Sequence, residues 1–190
     1  MDNLILTSFN SHKKALTFLE NQLNSVKEIA NLCLDSLKNK GKIIFMGNGG
    51  SAADSQHFAA ELVGRFKKNR EALAAIALTT DTSIITALAN DFGYDVIFSR
   101  QIEALAQPND IVIGISTSGK SENIIQAIKK AKEIGTKTVG FLGNNGGSLK
   151  ELVDISITIP SADTPRIQEM HNLAGHIICD IIENQLFPNE

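Results

Sequence analysis

Tryptophan is absent from this chain and tyrosine occurs once. A surface that stacks nucleic-acid bases on aromatic rings has little to build on. Charge of one sign is also missing: 18 Lys and Arg stand against 21 Asp and Glu, a net charge of −3 without a basic stripe. Nucleic acid is therefore not expected as the main ligand. No apolar run approaches the roughly 20 residues of a membrane-crossing helix, and no membrane partner is expected. Met1 to Lys14 lacks a basic start followed by an apolar stretch, so no signal peptide is read there and a cytoplasmic protein is expected. The two cysteines, Cys33 and Cys179, fall on apolar helical faces and read as reduced buried thiols.

What is present suits one compact domain over residues 1–190. Residues 1–40 read as helix. Ala15, Leu16, Phe18, Leu19 and Leu23 mark one amphipathic segment, and Val26, Ile29, Ala30, Cys33, Leu34 and Leu37 a second, with Ser25 as its expected cap. Such helices outside an α/β core suit packing against another subunit. From Gly41 the pattern changes. Short apolar runs at Lys42–Met46, Ala74–Leu78, Ile111–Ile115, Thr138–Leu142 and Ile155–Ile159 read as strands. Helical stretches separate them: to about Arg65, over Thr82–Ala89 and Val96–Leu105 around a turn at Asn90-Asp91-Phe92-Gly93, and over Glu122–Ile134. A long last helix, Thr164 to Leu186, stops at Pro188. Strands alternating with helices predict an α/β fold with a five-stranded parallel sheet covered on both faces.

Two loops carry phosphate-binding patterns. Gly114-Ile-Ser-Thr-Ser-Gly-Lys120-Ser121 fits G-x-x-x-x-G-K-[ST] between a strand and a helix. A nucleotide hydrolase would also need an apolar strand ending in Asp to hold magnesium, and Leu78-Thr-Thr-Asp81 is a poor stand-in. The hydroxyls of Ser116, Thr117, Ser118 and Ser121 suit a monophosphate at a helix N-terminus better. Gly47-Asn-Gly-Gly-Ser-Ala52 fits a dinucleotide fingerprint, but the acidic residue expected about twenty residues on is missing. No nucleotide cofactor is expected. Glycines after a strand still let backbone amides approach an anion or a sugar.

Candidate chemistry lies at two distant places. His57 and Glu61 are spaced i, i+4 and share one face of the helix that follows the first loop. Gln168 and His176 share a face of the last helix, two turns apart. A carboxylate, an imidazole and possible metal ligands from both ends of the chain suggest a composite site.

Together, the Ser116–Ser121 loop, Asn48-Gly-Gly-Ser51, His57-Phe-Ala-Ala-Glu61, Asn90-Asp-Phe-Gly93 and Arg166-Ile-Gln-Glu169 with His176 resemble the phosphoheptose isomerase family of the sugar isomerase (SIS) fold. The resemblance covers nearly the whole chain and implies a three-layer sandwich with an N-terminal helical extension. It implies substrate contacts at Asn48, Gly49, Gly50, Ser51, Glu61, Asn90, Asp91, Ser116, Thr117, Ser118, Ser121 and Gln168. Glu61 matches the family's base and His176 its acid–base histidine. His57, Glu61, Gln168 and His176 match positions that bind zinc. A homotetramer with active sites at subunit contacts is implied as well, residues 1–40 serving that assembly and residues 41–190 forming the sugar-phosphate-binding core. The turn Asp163-Thr164-Pro165 does not align securely with the family pattern.

The implied reaction turns a 2-ketose phosphate into an aldose phosphate through an enediol, and needs a carboxylate at carbon and a proton donor at oxygen. A rival reading is a regulator of the same fold that binds the bacterial replication initiator DnaA. Its last helix has a Leu-Phe-Pro end like Leu186-Phe187-Pro188, but it lacks an acid–base pair. His171, Glu169 and His12 have no evident partner and are expected at the surface.

Overall fold

The computed structural model describes residues 1–188. In chain order, α1 (Asp2–Glu20) and α2 (Leu23–Lys38) lead into β1 (Ile43–Gly47), α3 (Gly50–Val63), β2 (Ala75–Ala77) and α4 (Thr82–Phe92). A 3-10 turn (Tyr94–Val96), α5 (Ser99–Leu105), β3 (Ile111–Ser116), α6 (Glu122–Ile134), β4 (Lys137–Gly143), α7 (Leu149–Leu152), β5 (Ile155–Ile159) and α8 (Thr164–Leu186) complete the chain.

All neighbouring strands pair in parallel, in the order β2-β1-β3-β4-β5. Successive side chains point to opposite faces. Ile43, Phe45, Ile113 and Phe141 pack into the layer of α1, α2, α3 and α8. Ile44, Met46, Val112 and Leu142 pack into the opposite layer, with α5 and α6. Both faces are covered, which is why the strands read as unbroken apolar runs. The expected three-layer α/β sandwich with its N-terminal helices is what the chain forms.

From β1 the chain crosses to β2 on one side, and only later enters β3 on the other. The loops after β1 and β3 therefore flank the point where the winding reverses, the place where open α/β sheets form a crevice. These are the two loops with phosphate-binding patterns.

Local details depart from the sequence reading. Helix α2 starts at Leu23 with Gln22 as its cap, so Ser25 lies inside it. Tertiary contact overrides the local signal: the Gln22 side chain donates to the Thr158 carbonyl at 2.7 Å and accepts from the Thr158 amide at 2.8 Å. It thus satisfies an open edge of β5. The turn expected at Asn90-Asp91 is the last turn of α4, and the helix expected from Val96 is divided between the 3-10 turn and α5. His171 is not at the surface. It is fully buried, and its Nε2 donates to the Leu142 carbonyl at 3.0 Å. Residues 167, 170, 171, 174 and 178 form the core face of α8, and histidine occupies one of those positions.

Candidate active site

The Ser116–Ser121 loop links the end of β3 to the N-terminus of α6. Ser116 is buried, and its Oγ lies 3.0 Å from Ser121 Oγ and 3.4 Å from Ser118 Oγ. The Gly119 amide donates to Ser116 Oγ and the Lys120 amide to Ser118 Oγ, both at 3.1 Å. Three hydroxyls are gathered where the unpaired amides of α6 begin, a ready anion cradle. Thr117 holds the loop from its other side, its carbonyl accepting from Asn144 at 3.0 Å. A cavity of about 580 Å³ opens beside this loop and includes Ser118, Lys120, Asn144 and Ser161, though not His57, Glu61 or His176.

The first loop is locked to the second. The side-chain amides of Asn48 and Asn123 exchange two hydrogen bonds, 3.0 and 2.9 Å long, and the Tyr94 hydroxyl donates to Asn48 Oδ1 at 3.0 Å. Gly49 caps α3 and Gly50 opens it. Gln168 of α8 packs its amide nitrogen so closely on Gly50 that a Cβ there would overlap it. Ser51 is buried in the first turn of α3. Asn90 and Asp91 are exposed at the end of α4, where the Asn90 amide donates to the Asp91 carboxylate at 2.8 Å.

From Gly50 downward, α3 and α8 face one another in steps. Asn172 donates to Asp54 at 3.5 Å, and burial pushes the Asp54 carboxyl up, against the weaker pull of Asn172 and His57. Further along, His57 Nε2 lies 2.9 Å from Glu61 Oε1 and 2.9 Å from His176 Nε2. Two imidazole nitrogens facing each other at that distance share one proton or one cation. Gly175 makes this approach possible, because a Cβ at that position would overlap the Phe58 ring. Phe66 covers the other side of His176, with ring centroids 5.5 Å apart.

Apart from Asn90 and Asp91, exposed at the end of α4, the expected residues fall into three groups. Ser116, Ser118 and Ser121 form the anion cradle, with Thr117 beside them. Asn48 to Ser51 and Gln168 form the adjoining wall. His57, Glu61 and His176 form a cluster whose donor atoms all lie within 4.8 Å of one another. One carboxylate oxygen and two imidazole nitrogens are a donor set that suits zinc. Gln168, the fourth expected ligand, has its amide against Gly50 at the head of α3. Residues missed in the sequence are Asn123, Tyr94 and Asp54. Asp54 had a legible signal, since 50, 54, 57 and 61 share one helical face; the Asn48–Asn123 pair, 75 residues apart, had none.

A parallel sheet with hydroxyl-rich and glycine-rich loops at its winding reversal is the architecture of an open α/β ligand-binding domain, and the SIS domain family matches residues 9–143. Phosphoheptose isomerase of Geobacter sulfurreducens is 54% identical over 185 residues, covering 97% of this chain and 98% of that protein. The Helicobacter pylori (strain P12) phosphoheptose isomerase is 53% identical over 184 residues, with 96% of each chain covered. Among solved structures, phosphoheptose isomerase of Neisseria gonorrhoeae superposes with a TM-score of 0.91 at 41% identity, covering 96% of this chain and 98% of that one. The chain belongs to the phosphoheptose isomerase family of SIS-domain proteins, and is an enzyme of the aldose–ketose isomerase type. Neither the nucleotide hydrolase nor the initiator-binding reading gains support from these relatives.

Proposed function

We propose that the enzyme interconverts sedoheptulose 7-phosphate and D-glycero-D-manno-heptose 7-phosphate through an enediol, as the first step toward bacterial ADP- or GDP-heptose. The observation that carries this reading is the meeting of Glu61 with His176 beside His57, on α3, which follows the glycine loop, and on α8. An extended seven-carbon sugar held by its phosphate at Ser116, Ser118 and Ser121 places C1 and C2 toward Glu61. Binding energy at the phosphate then serves the distant chemistry by orientation.

Glu61 takes the proton from C1 of the open-chain ketose and returns it to C2. His176 gives and takes the proton that moves between the two oxygens, a task for which imidazole is suited near neutral pH. Asn48 to Ser51, Gln168, Asn90 and Asp91 contact the sugar hydroxyls. His57, Glu61 and His176 would hold a zinc ion in this reading, with Gln168 as a further ligand only if its amide leaves Gly50; the His176 nitrogen cannot carry the ion and the proton at once, so its proton transfer belongs to the metal-free site. When bound, zinc supplies a Lewis acid for the substrate oxygens.

The assembly follows the same reading. Leu4, Ile5, Leu6 and Phe9 are exposed on α1, and residues 1–40 suit the contacts of a homotetramer whose sites lie at subunit interfaces. We place the enzyme in the cytoplasm, consistent with free, buried Cys33 and Cys179. Among the described residues no helix is long and apolar enough to cross a membrane.

The test is incubation of the purified protein with sedoheptulose 7-phosphate, with and without a chelator, and with Glu61→Gln as control. Aldose phosphate appears with wild type and is lost with Glu61→Gln. An intact tetramer supplied with zinc that makes no aldose defeats the proposal.

A further inference from the structure

Eleven residues without regular structure, 64–74, connect α3 to β2. Such a stretch normally runs over the surface. Here it is tied down by a buried ion pair that has no direct part in the chemistry above. Arg70 Nε lies 2.9 Å from Glu183 Oε1, and the two side chains are 0% and 1% exposed. Neither charge is left short of partners. Glu183 also accepts from the amides of Phe66, Lys67 and Lys68 at 3.1, 2.8 and 3.0 Å. Arg70 donates to the carbonyls of Glu61 at 2.8 Å, Leu62 at 2.9 Å and Glu71 at 2.9 Å. Burial pushes the Glu183 carboxyl up, but the amides and the guanidinium outweigh it and hold it below the ordinary carboxylate range.

A pair of this kind is weak evidence for stability, because desolvation of two charges offsets much of their attraction. Its geometry explains it better. Arg70 satisfies the last carbonyls of α3, one of which belongs to Glu61 itself. Glu183 stands two turns beyond His176 on α8, and by holding the Phe66 amide it sets the Phe66 ring over the His176 imidazole, 5.5 Å between centroids and 36° between planes. One ion pair therefore reaches both residues: Arg70 bonds the Glu61 carbonyl directly, and Glu183 reaches His176 through Phe66.

We propose that Glu183, Arg70 and Phe66 form a positioning bracket that fixes the His176 ring and the end of α3 carrying Glu61. None of the three touches the reacting atoms. The inference rests on the functional reading above for its kinetic consequences, but the bracket itself is a claim about where His176 is held.

Phe66→Leu keeps an apolar group on a partly buried site and removes the ring, so the fold is retained. The expected result is a fall of about tenfold or more in kcat with KM within about twofold, the signature of misplaced chemistry rather than lost binding. Phe66→Tyr, which restores a ring, recovers kcat to within about threefold. Glu183→Gln gives the same kinetic pattern, and Phe66→Leu/Glu183→Gln loses no more kcat than the worse single variant, since both act through one contact. A crystal structure of Phe66→Leu shows His176 displaced from its contact with His57. An undisplaced His176 ring, a Phe66→Leu kcat within twofold of wild type, or fully additive losses would each overturn the bracket. If wild type itself does not turn over sedoheptulose 7-phosphate, the functional reading fails, and the position of His176 in the Phe66→Leu crystals decides the bracket alone.

Discussion

Adding one methyl group at Gly175 tests how the two helices build the site. The added Cβ would overlap the Phe58 ring edge. That ring has no free direction in which to yield. Phe58 is 1% exposed, with Phe45 at 5.9 Å and Phe141 at 6.2 Å between ring centroids. Overpacking of this sort costs about 1–3 kcal/mol. Alanine recovers about 1 kcal/mol over glycine by helix propensity. Gly175→Ala is therefore destabilised by about 0–2 kcal/mol, a lowering of Tm by no more than about 8 °C for a chain of this size. The activity loss is larger, because the strain is relieved by moving α8 away from α3 and His176 is the next residue. A displacement near 1 Å costs on the order of 100-fold in rate. Thermal melts read the first effect, and initial rates of ketose conversion read the second. Phe58→Leu in the same background makes room for the methyl group and recovers part of the rate. If Gly175→Ala turns over within about threefold of wild type, the close contact of α3 and α8 does not set His176, and the reasoning is wrong.

Removing Glu61 as a base with Glu61→Gln lowers kcat by about 100- to 10,000-fold, the usual share of general acid–base catalysis, with the fold intact by circular dichroism. Ser118→Ala or Ser121→Ala removes one hydrogen bond to a charged phosphate, about 1.5–3 kcal/mol, and lowers kcat/KM by about 10- to 150-fold without affecting the Glu61 chemistry. His171 gives a pH prediction with a definite sign. Burial lowers its folded pKa from 6.5 to about 4 against a smaller opposing effect of the Leu142 carbonyl, so the unfolded chain binds more protons between those values. Stability is then complete above pH 6.5 and falls as pH drops toward 4, by roughly 3 kcal/mol in total. Denaturant unfolding at pH 7 and pH 4.5 should show His171→Gln losing less stability than wild type over that interval, and an equal or greater loss in the variant refutes the assignment.

The strands and the two anion loops were legible because each depends on a short contiguous stretch. An apolar run such as Ile111–Ile115 followed by hydroxyls and glycine carries its own boundary signals. His57 and Glu61 were legible for the same reason, since their contact needs only one helical turn. What links them to His176 is not local. It requires α3 and α8 to lie over the same face of the sheet, and a glycine at 175 to let them touch. His171 shows how residue type can mislead where periodicity is clear: it belongs to the core stripe of α8 by spacing, but reads as a surface residue by polarity. The segment from 64 to 74 has no period to read, and Arg70 meets Glu183 from 113 residues away. Strands and contacts within one helical turn are written in neighbours along the chain, whereas the meeting of His57 and Glu61 with His176 is written in pairs that only the winding order brings together. The sequence therefore identifies the groups to which we assign the chemistry more readily than the groups we propose aim them, and mutational tests of this site belong at Gly175, Phe66 and Glu183 as much as at Glu61 and His176.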